Sequence, residues 1–227
     1  MTIQYYPEIE QGTEEWHDLR RGVLTSSHVK LILTPTLKVA DNDKVRQHVW
    51  ELLAQRVTGY TEPSYIGDHM LRGQIDEITA RDLYVKHYAS VQQIGFVTND
   101  EWGFLIGCSP DGLVGDDGMI ECKSRLQKFQ AETIATLKVD ADYLLQIQTG
   151  LLVTQRKWCD FISYCGGMPM VTIRVMPDKI VQDAIVDAAT KFEATLGKKL
   201  ADFQATLKSN ARLIPTERRI EQEMYIS

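Results

Sequence analysis

The 227-residue sequence predicts an α/β fold in which a central mixed β-sheet is flanked by helices within a single domain. Three observations lead there. Hydrophobic residues make up 44% of the chain, which at this length supports one sizeable core rather than two. The hydrophobic period runs helix, helix, strands, helix, strands, helix. No internal repeat, low-complexity stretch or Pro/Gly/Ser-rich linker divides the chain, so one domain is expected over 1–227, with a long C-terminal helix and tail from about 177.

The first landmark is EQGTEEWHDLRRGVLTSSHVKLIL, in which 14–21 reads as a short amphipathic helix. Gly22 ends it, and Thr25 or Ser26 is placed to cap the next. Two short helices meeting at a polar turn gather N–H groups and hydroxyls at one spot, a setting that suits an anion. After a loop over 33–43, Val45, Val49, Leu52, Leu53 and Val57 recur at helical spacing, and TGYTEPSYIGD closes that helix. A second long helix runs over about 69–88, where Gly73, Glu77 and Arg81 share one face. The period then falls to two: 91–98, 103–109 and 119–123 are short, β-branched or aromatic, and separated by the turn sequences NDEW and GDDG. Helices return over 128–137 and 141–154, and the strands WCDFISYC and MVTIRVM follow, joined by GGMP. Beyond Met176 and Pro177 a long helix carries the apolar stripe Ile180, Ala184, Ile185, Ala188, Phe192 and Leu196.

A formal net charge of -6 argues against a protein that coats nucleic acid by bulk attraction. It is compatible with a nuclease, whose carboxylates add negative charge that a metal cancels. Basic residues cluster locally at Arg20 and Arg21, at Lys123, Arg125 and Lys128, at Arg156 and Lys157, and in a tail with Lys208, Arg212, Arg218 and Arg219. Each alone also fits an ordinary solvated face. No apolar run approaches the roughly 20 residues that span a bilayer, and MTIQYYPEIEQ lacks the blocks of a signal peptide. A cytoplasmic protein with no membrane partner is expected. Cys108, Cys122, Cys159 and Cys165 form no CxxC pair and no zinc spacing, and read as reduced core thiols.

The chemistry concentrates in CSPDGLVGDDGMIECKS, 108–124. Asp111 is expected to close one strand and Glu121 and Lys123 to lie on the next. Alternation puts Glu121 and Lys123 on one face and Cys122 on the other. If GDDG folds the strands back, Asp111 comes level with Glu121. Converging carboxylates repel, which raises their pKa unless a cation is present. Hard oxygens of this kind select Mg2+, with Mn2+ as substitute. Such an ion acidifies water for phosphodiester hydrolysis, and Lys123 beside it orients that water or offsets phosphate charge. D-x9-E-x-K alone is a weak signal, but Glu77 adds a carboxylate. Gln146 and Gln148 diverge by about 200° on a helix, so only one faces the site. Met70, two helical turns before Glu77, is placed either in the core or as a wedge into the last base pair, with Leu71 beside it.

Taken in order, W-H-x-L-R-x-G-x-x-T-x-S from Trp16 to Ser27, G-x-x-x-E from Gly73 to Glu77, CSPDG from Cys108 to Gly112, E-x-K from Glu121 to Lys123, and YLLQIQ resemble the phage λ exonuclease family of YqaJ-type viral recombinases, within the PD-(D/E)xK nuclease superfamily. The resemblance covers almost the whole chain. It implies a restriction-endonuclease-like core and a Mg2+-dependent 5'-to-3' exonuclease with two ions at the site. Such an enzyme processively degrades the 5'-ended strand of linear double-stranded DNA and leaves 3' overhangs. It also implies a homotrimer ring, a Redβ-like single-strand annealing protein as partner, and the host cytoplasm if phage-encoded. By the same resemblance Asp111, Glu121 and Glu77 are metal ligands with the backbone carbonyl of Cys122. Lys123 is the catalytic lysine and Gln146 its support, while Arg20, Ser27, Ser109 and, more weakly, Thr25 hold the 5' phosphate. Serines here equally fit caps and turns. The chain departs from the family at Arg72, where an aromatic residue often precedes the glycine, and in CKSRLQ, which lacks a proline after the lysine. Both departures bear on the DNA channel rather than the metal site. The rival readings are a RecB-like or Cas4-like end-processing nuclease and a non-catalytic DNA-binding recombination scaffold.

Overall fold

The computed structural model of the chain describes residues 2–63 and 67–218, and only the backbone of Asp68, His69 and Met70. Strand β1 (Ile3–Tyr6) is followed by α1 (Glu14–Arg20), the two-residue β2 (Leu24–Thr25), a 3-10 turn over Ser26–His28 and the short α2 (Val29–Ile32). Helices α3 (Asp43–Thr58) and α4 (Asp68–His87) precede β3 (Phe96–Asn99), β4 (Ile106–Cys108), β5 (Gly112–Val114) and β6 (Gly118–Ser124). Then come α5 (Gln127–Thr136), α6 (Ala141–Thr154), β7 (Trp158–Tyr164), β8 (Val171–Val175) and α7 (Lys179–Leu207). The mixed α/β class agrees with the sequence.

The strands divide into two mixed four-stranded sheets, β1-β3-β4-β2 and β5-β6-β7-β8. Parallel pairing of β6 with β7 requires a crossover, which α5 and α6 supply. A lone bridge between Gln92 and Leu113 ties the segment before β3 to the second sheet. That bridge is what remains of the strand expected from residue 91, since pairing as a strand begins only at Phe96. Asp111 does not close a strand as expected but stands just before β5, and Gly112 pairs with Ile120.

Helix starts follow side-chain capping: Thr13 accepts from the Trp16 N–H, Asn42 from Lys44 and Val45, and Asp178 from Ile180 and Val181. The cap expected at Thr25 is not made, because its hydroxyl turns to Ser27 and His28 instead. Helix α6 is the hub of the core, touching α2, α7, β3, β4 and β7 with Leu145, Ile147, Leu151 and Val153 fully buried. On α7 the buried stripe is Val181, Ile185, Ala188, Phe192 and Leu196. Ile180, expected in that stripe, is 74% exposed because it lies one residue, about 100° of helix, off this face. All four cysteines are free and buried. Among the described residues no helix is long and apolar enough to cross a membrane.

Candidate active site

The E-x-K strand meets Asp111 as its alternation requires. In β6, Ile120 and Cys122 pack with Ala80, Tyr84 and Ile162 in one small apolar cluster, so Glu121 and Lys123 point to the opposite face. The antiparallel register carries Asp111 alongside Glu121: the Asp111 N–H donates to the Ile120 carbonyl at 3.2 Å, and the Cys122 N–H donates to Asp111 Oδ2 at 2.5 Å. Glu121, only 3% exposed, has its Oε1 in two short contacts, 2.6 Å from Lys123 Nζ and 2.6 Å from the Gln146 Nε2 that donates to it. Gln148 points away as its helical angle demands, donating to the Met176 carbonyl and accepting from the Asp178 N–H.

Helix α4 brings the third carboxylate. Burial first, then the charge of Asp111, pushes Glu77 up to about 7. Burial likewise raises Glu121 to about 7 against the opposing pull of Lys123, and burial raises Asp111. Burial works against the Lys123 ammonium, but Glu121, Asp111 and Glu77 outweigh it and hold the lysine firmly charged. The Lys123 ammonium, with Arg81 nearby, thus faces three carboxyl groups, Glu121 buried and Glu77 and Asp111 half-buried, a surplus of acceptor oxygen of the kind a hard divalent cation neutralises. Among the described residues no three His, Cys, Asp or Glu side chains hold an ion as they stand. The reason is local: Glu121 Oε1 is occupied by Lys123 and Gln146, and Asp111 Oδ2 by a backbone N–H. The donor set, hard carboxylate oxygens from three segments, fits such a cation in chemistry.

A groove of about 1280 Å3 opens beside this cluster, lined among others by Glu77, Arg81 and Asp111 and by Trp16, Arg20, Thr25 and His28. Glu121, Lys123 and Gln146 lie one layer deeper. Within this lining Arg20 Nη1 and the Trp16 indole N–H both donate to Ser109 Oγ, at 3.1 and 2.9 Å, and the guanidinium stacks 4.2 Å above the Trp16 ring. Burial lowers the Arg20 pKa to about 10. Thr25 reaches the groove with its hydroxyl 2.9 Å from His28 Nδ1 and 3.2 Å from Ser27 Oγ. Ser27 joins this group only through Thr25. Burial, then the neighbouring charge of His48 and Arg20, depresses His28 to about 4.

Met70 starts α4, but its side chain lies outside the described residues; neighbouring Leu71 is exposed. Two partners escape sequence reasoning. Asp76 accepts from Ser124 Oγ at 2.5 Å, fastening α4 to the end of β6, and the Trp16 indole orients Ser109. Asp76 is one acid beside another in GQIDE, and nothing local marks its partner.

A family model described as YqaJ-like viral recombinase domain matches residues 15–157. An alkaline exonuclease, LHK-Exo from Laribacter hongkongensis, superposes with a TM-score of 0.78 at 31% identity, covering 88% of this chain and 100% of that one. Its structure in complex with dAMP gives the same TM-score and coverage at 33% identity. A phage-related exonuclease from Haemophilus somnus 129PT, with a TM-score of 0.53 at 15% identity over 82% of this chain and 96% of that one, shares the fold alone. No curated protein gives a significant match.

Proposed function

The chain belongs to the YqaJ-like viral recombinase family, and from that premise we propose that it is a divalent-cation-dependent exonuclease working from the 5' ends of linear double-stranded DNA. Its activity leaves 3' overhangs for a single-strand annealing partner in the host cytoplasm. One observation supports the reading: Ser109, which contacts Arg20, and Asp111, which stands beside the Glu121–Lys123 pair, are two residues apart, and Arg20 and Asp111 line a common groove. Arg20, with Ser109, Thr25 and Ser27, receives a terminal phosphate through forked donors in fixed geometry. Asp111, Glu121, Glu77 and the Cys122 carbonyl hold Mg2+ or Mn2+, as one or two ions. That cation supplies charge neutralisation at the phosphodiester and an acidified water. Lys123 orients the water, and Gln146 fixes the Glu121 carboxylate. A ring-shaped homotrimer would make digestion processive.

The test is digestion of linear duplex labelled at the 5' or the 3' end, with and without 5' phosphate, in Mg2+. Mononucleotide release from 5'-phosphorylated ends is expected, with slower attack on 5'-hydroxyl ends. Asp111→Ala should lower turnover by at least about 10²-fold, on the scale of losing one electrostatic transition-state contact, while the fold is retained. Release from 3' ends, or none from the unmutated protein, refutes the reading.

A further inference from the structure

We propose that Arg81 is a second phosphate anchor, contacting the first internucleotide phosphodiester while Arg20 contacts the terminal phosphate. The inference rests on the exonuclease reading and deepens it. Arg81 stands one helical turn beyond Glu77 and lines the same groove. Its Nη1 donates to the Asp111 backbone carbonyl at 3.5 Å, too long for a strong bond. Among the described residues it makes no ion pair, although carboxyl groups lie near enough for its charge to lower the pKa of Glu77 and Asp111. An arginine serving only to neutralise those acids would be expected to fork onto one of them. Here Lys123 takes that part through Glu121, and among the described residues the Asp111 carbonyl is the one hydrogen-bond acceptor that Arg81 meets.

The spacing supports a paired role. Ser109, which holds Arg20, and Asp111, whose carbonyl Arg81 touches, are two residues apart. The segment 109–111 is irregular backbone between β4 and β5 and can reach at most about 7 Å, so the two contacts lie within about one nucleotide step of each other along it. Two guanidiniums tied to the ends of that segment therefore address consecutive phosphates, with the Asp111–Glu121 cluster beside the inner one. The pair sets the cut one nucleotide from the end and the product as a nucleoside monophosphate.

The experiment measures end binding in Ca2+, in place of Mg2+, to 5'-phosphorylated duplexes whose first linkage is either phosphodiester or uncharged methylphosphonate. The unmutated protein is expected to bind the methylphosphonate duplex about tenfold more weakly, the scale of one charge-assisted contact. Arg81→Gln should lose that discrimination and keep its preference for 5' phosphate over 5' hydroxyl; Arg81→Lys should fall between, because it keeps the charge without the fork. A melting curve matching the parent protects the comparison from misfolding. An Arg81→Gln protein as sensitive to methylphosphonate as the parent overturns the proposal and leaves the exonuclease reading standing. A parent indifferent to both the 5' phosphate and the first linkage overturns both.

Discussion

Gln146 is the residue whose role separates most cleanly from folding. Its amide touches Glu121 Oε1 from a half-buried position on α6, while the neighbouring core residues Leu145 and Ile147 carry the packing. Gln146→Leu should therefore fold, and should lower turnover about 10- to 100-fold, the usual effect of removing a group that orients a ligand. Single-turnover rates at saturating DNA read this directly; an unchanged rate excludes the orienting role. His28 gives a stability test with a definite sign. Its ordinary pKa is near 6.5, and in the fold burial, then the charges of His48, Arg20 and Lys30, lower it to about 4 against the opposing pull of Glu51. Between those values the unfolded chain binds more protons, so His28 stabilises the fold above about 6.5 and loses that contribution as pH drops towards 4. His28→Asn should flatten the fall in melting temperature between pH 7 and 4.5, and a parallel fall would remove the assignment. At this scale the sequence was most informative where a fixed period acts. Alternation separates Glu121 and Lys123 from Cys122, and the helical angle sends Gln146 and Gln148 apart. Asp76 and Trp16 are set by partners distant in the chain, so no local signal announces them.

Helix α4 must be held against the sheet for Glu77 to face Asp111, and its fastening is polar. Tyr84, two turns after Glu77, donates to Asp160 Oδ2 at 2.7 Å, and Arg174 clasps both oxygens of the same carboxylate at 2.8 and 2.9 Å. The Arg174 guanidinium lies 3.8 Å over the Trp158 ring. Asp160 is buried while Arg174 is half-exposed. Arg174→Met, which leaves the buried carboxylate with Tyr84 alone, should cost about 3 kcal/mol, the low end for a broken buried pair because solvent already screens the arginine. Urea unfolding measures this, and a loss below about 1 kcal/mol would show that the clasp is only a surface pair. A second constraint is steric. A Cβ on Gly118 would stand 2.1 Å from the Trp158 ring, so Gly118→Ala must displace that ring from its place beneath Arg174 and should cost about 1–3 kcal/mol. Long helices with a clear stripe, such as α7, were readable in the sequence because many residues vote for one period. Strands β1 and β5 were not, since three or four residues carry too little pattern, and β1 in addition pairs with β3, about ninety residues along the chain.

On the scale of the whole molecule, fold and site pull in opposite directions until a cation arrives. Glu77 and Glu121 titrate near 7 and Asp111 is raised as well, burial being the first cause in each case. Carboxyl groups ordinarily titrate near 4. Between that range and 7 the folded chain holds more protons than the unfolded chain, so without metal the cluster destabilises the fold increasingly as pH rises through this window. A bound divalent ion must displace those protons, and its hold therefore strengthens over the same window. At a hundredfold excess over its dissociation constant it should stabilise the fold by about 2.7 kcal/mol, or roughly 5–11 °C for a chain of this size. Melting curves in Mg2+ and in chelator, at pH 6 and pH 8, measure both effects. A larger ion-induced shift at pH 8 is expected, and Asp111→Asn combined with Glu121→Gln should abolish it. Its melting curve in chelator supplies the reference for that comparison, because removing both carboxylates also takes away the partners that hold Lys123 charged. An equal ion effect at both pH values, or its survival in the double variant, would place the bound ion somewhere other than beside the E-x-K strand.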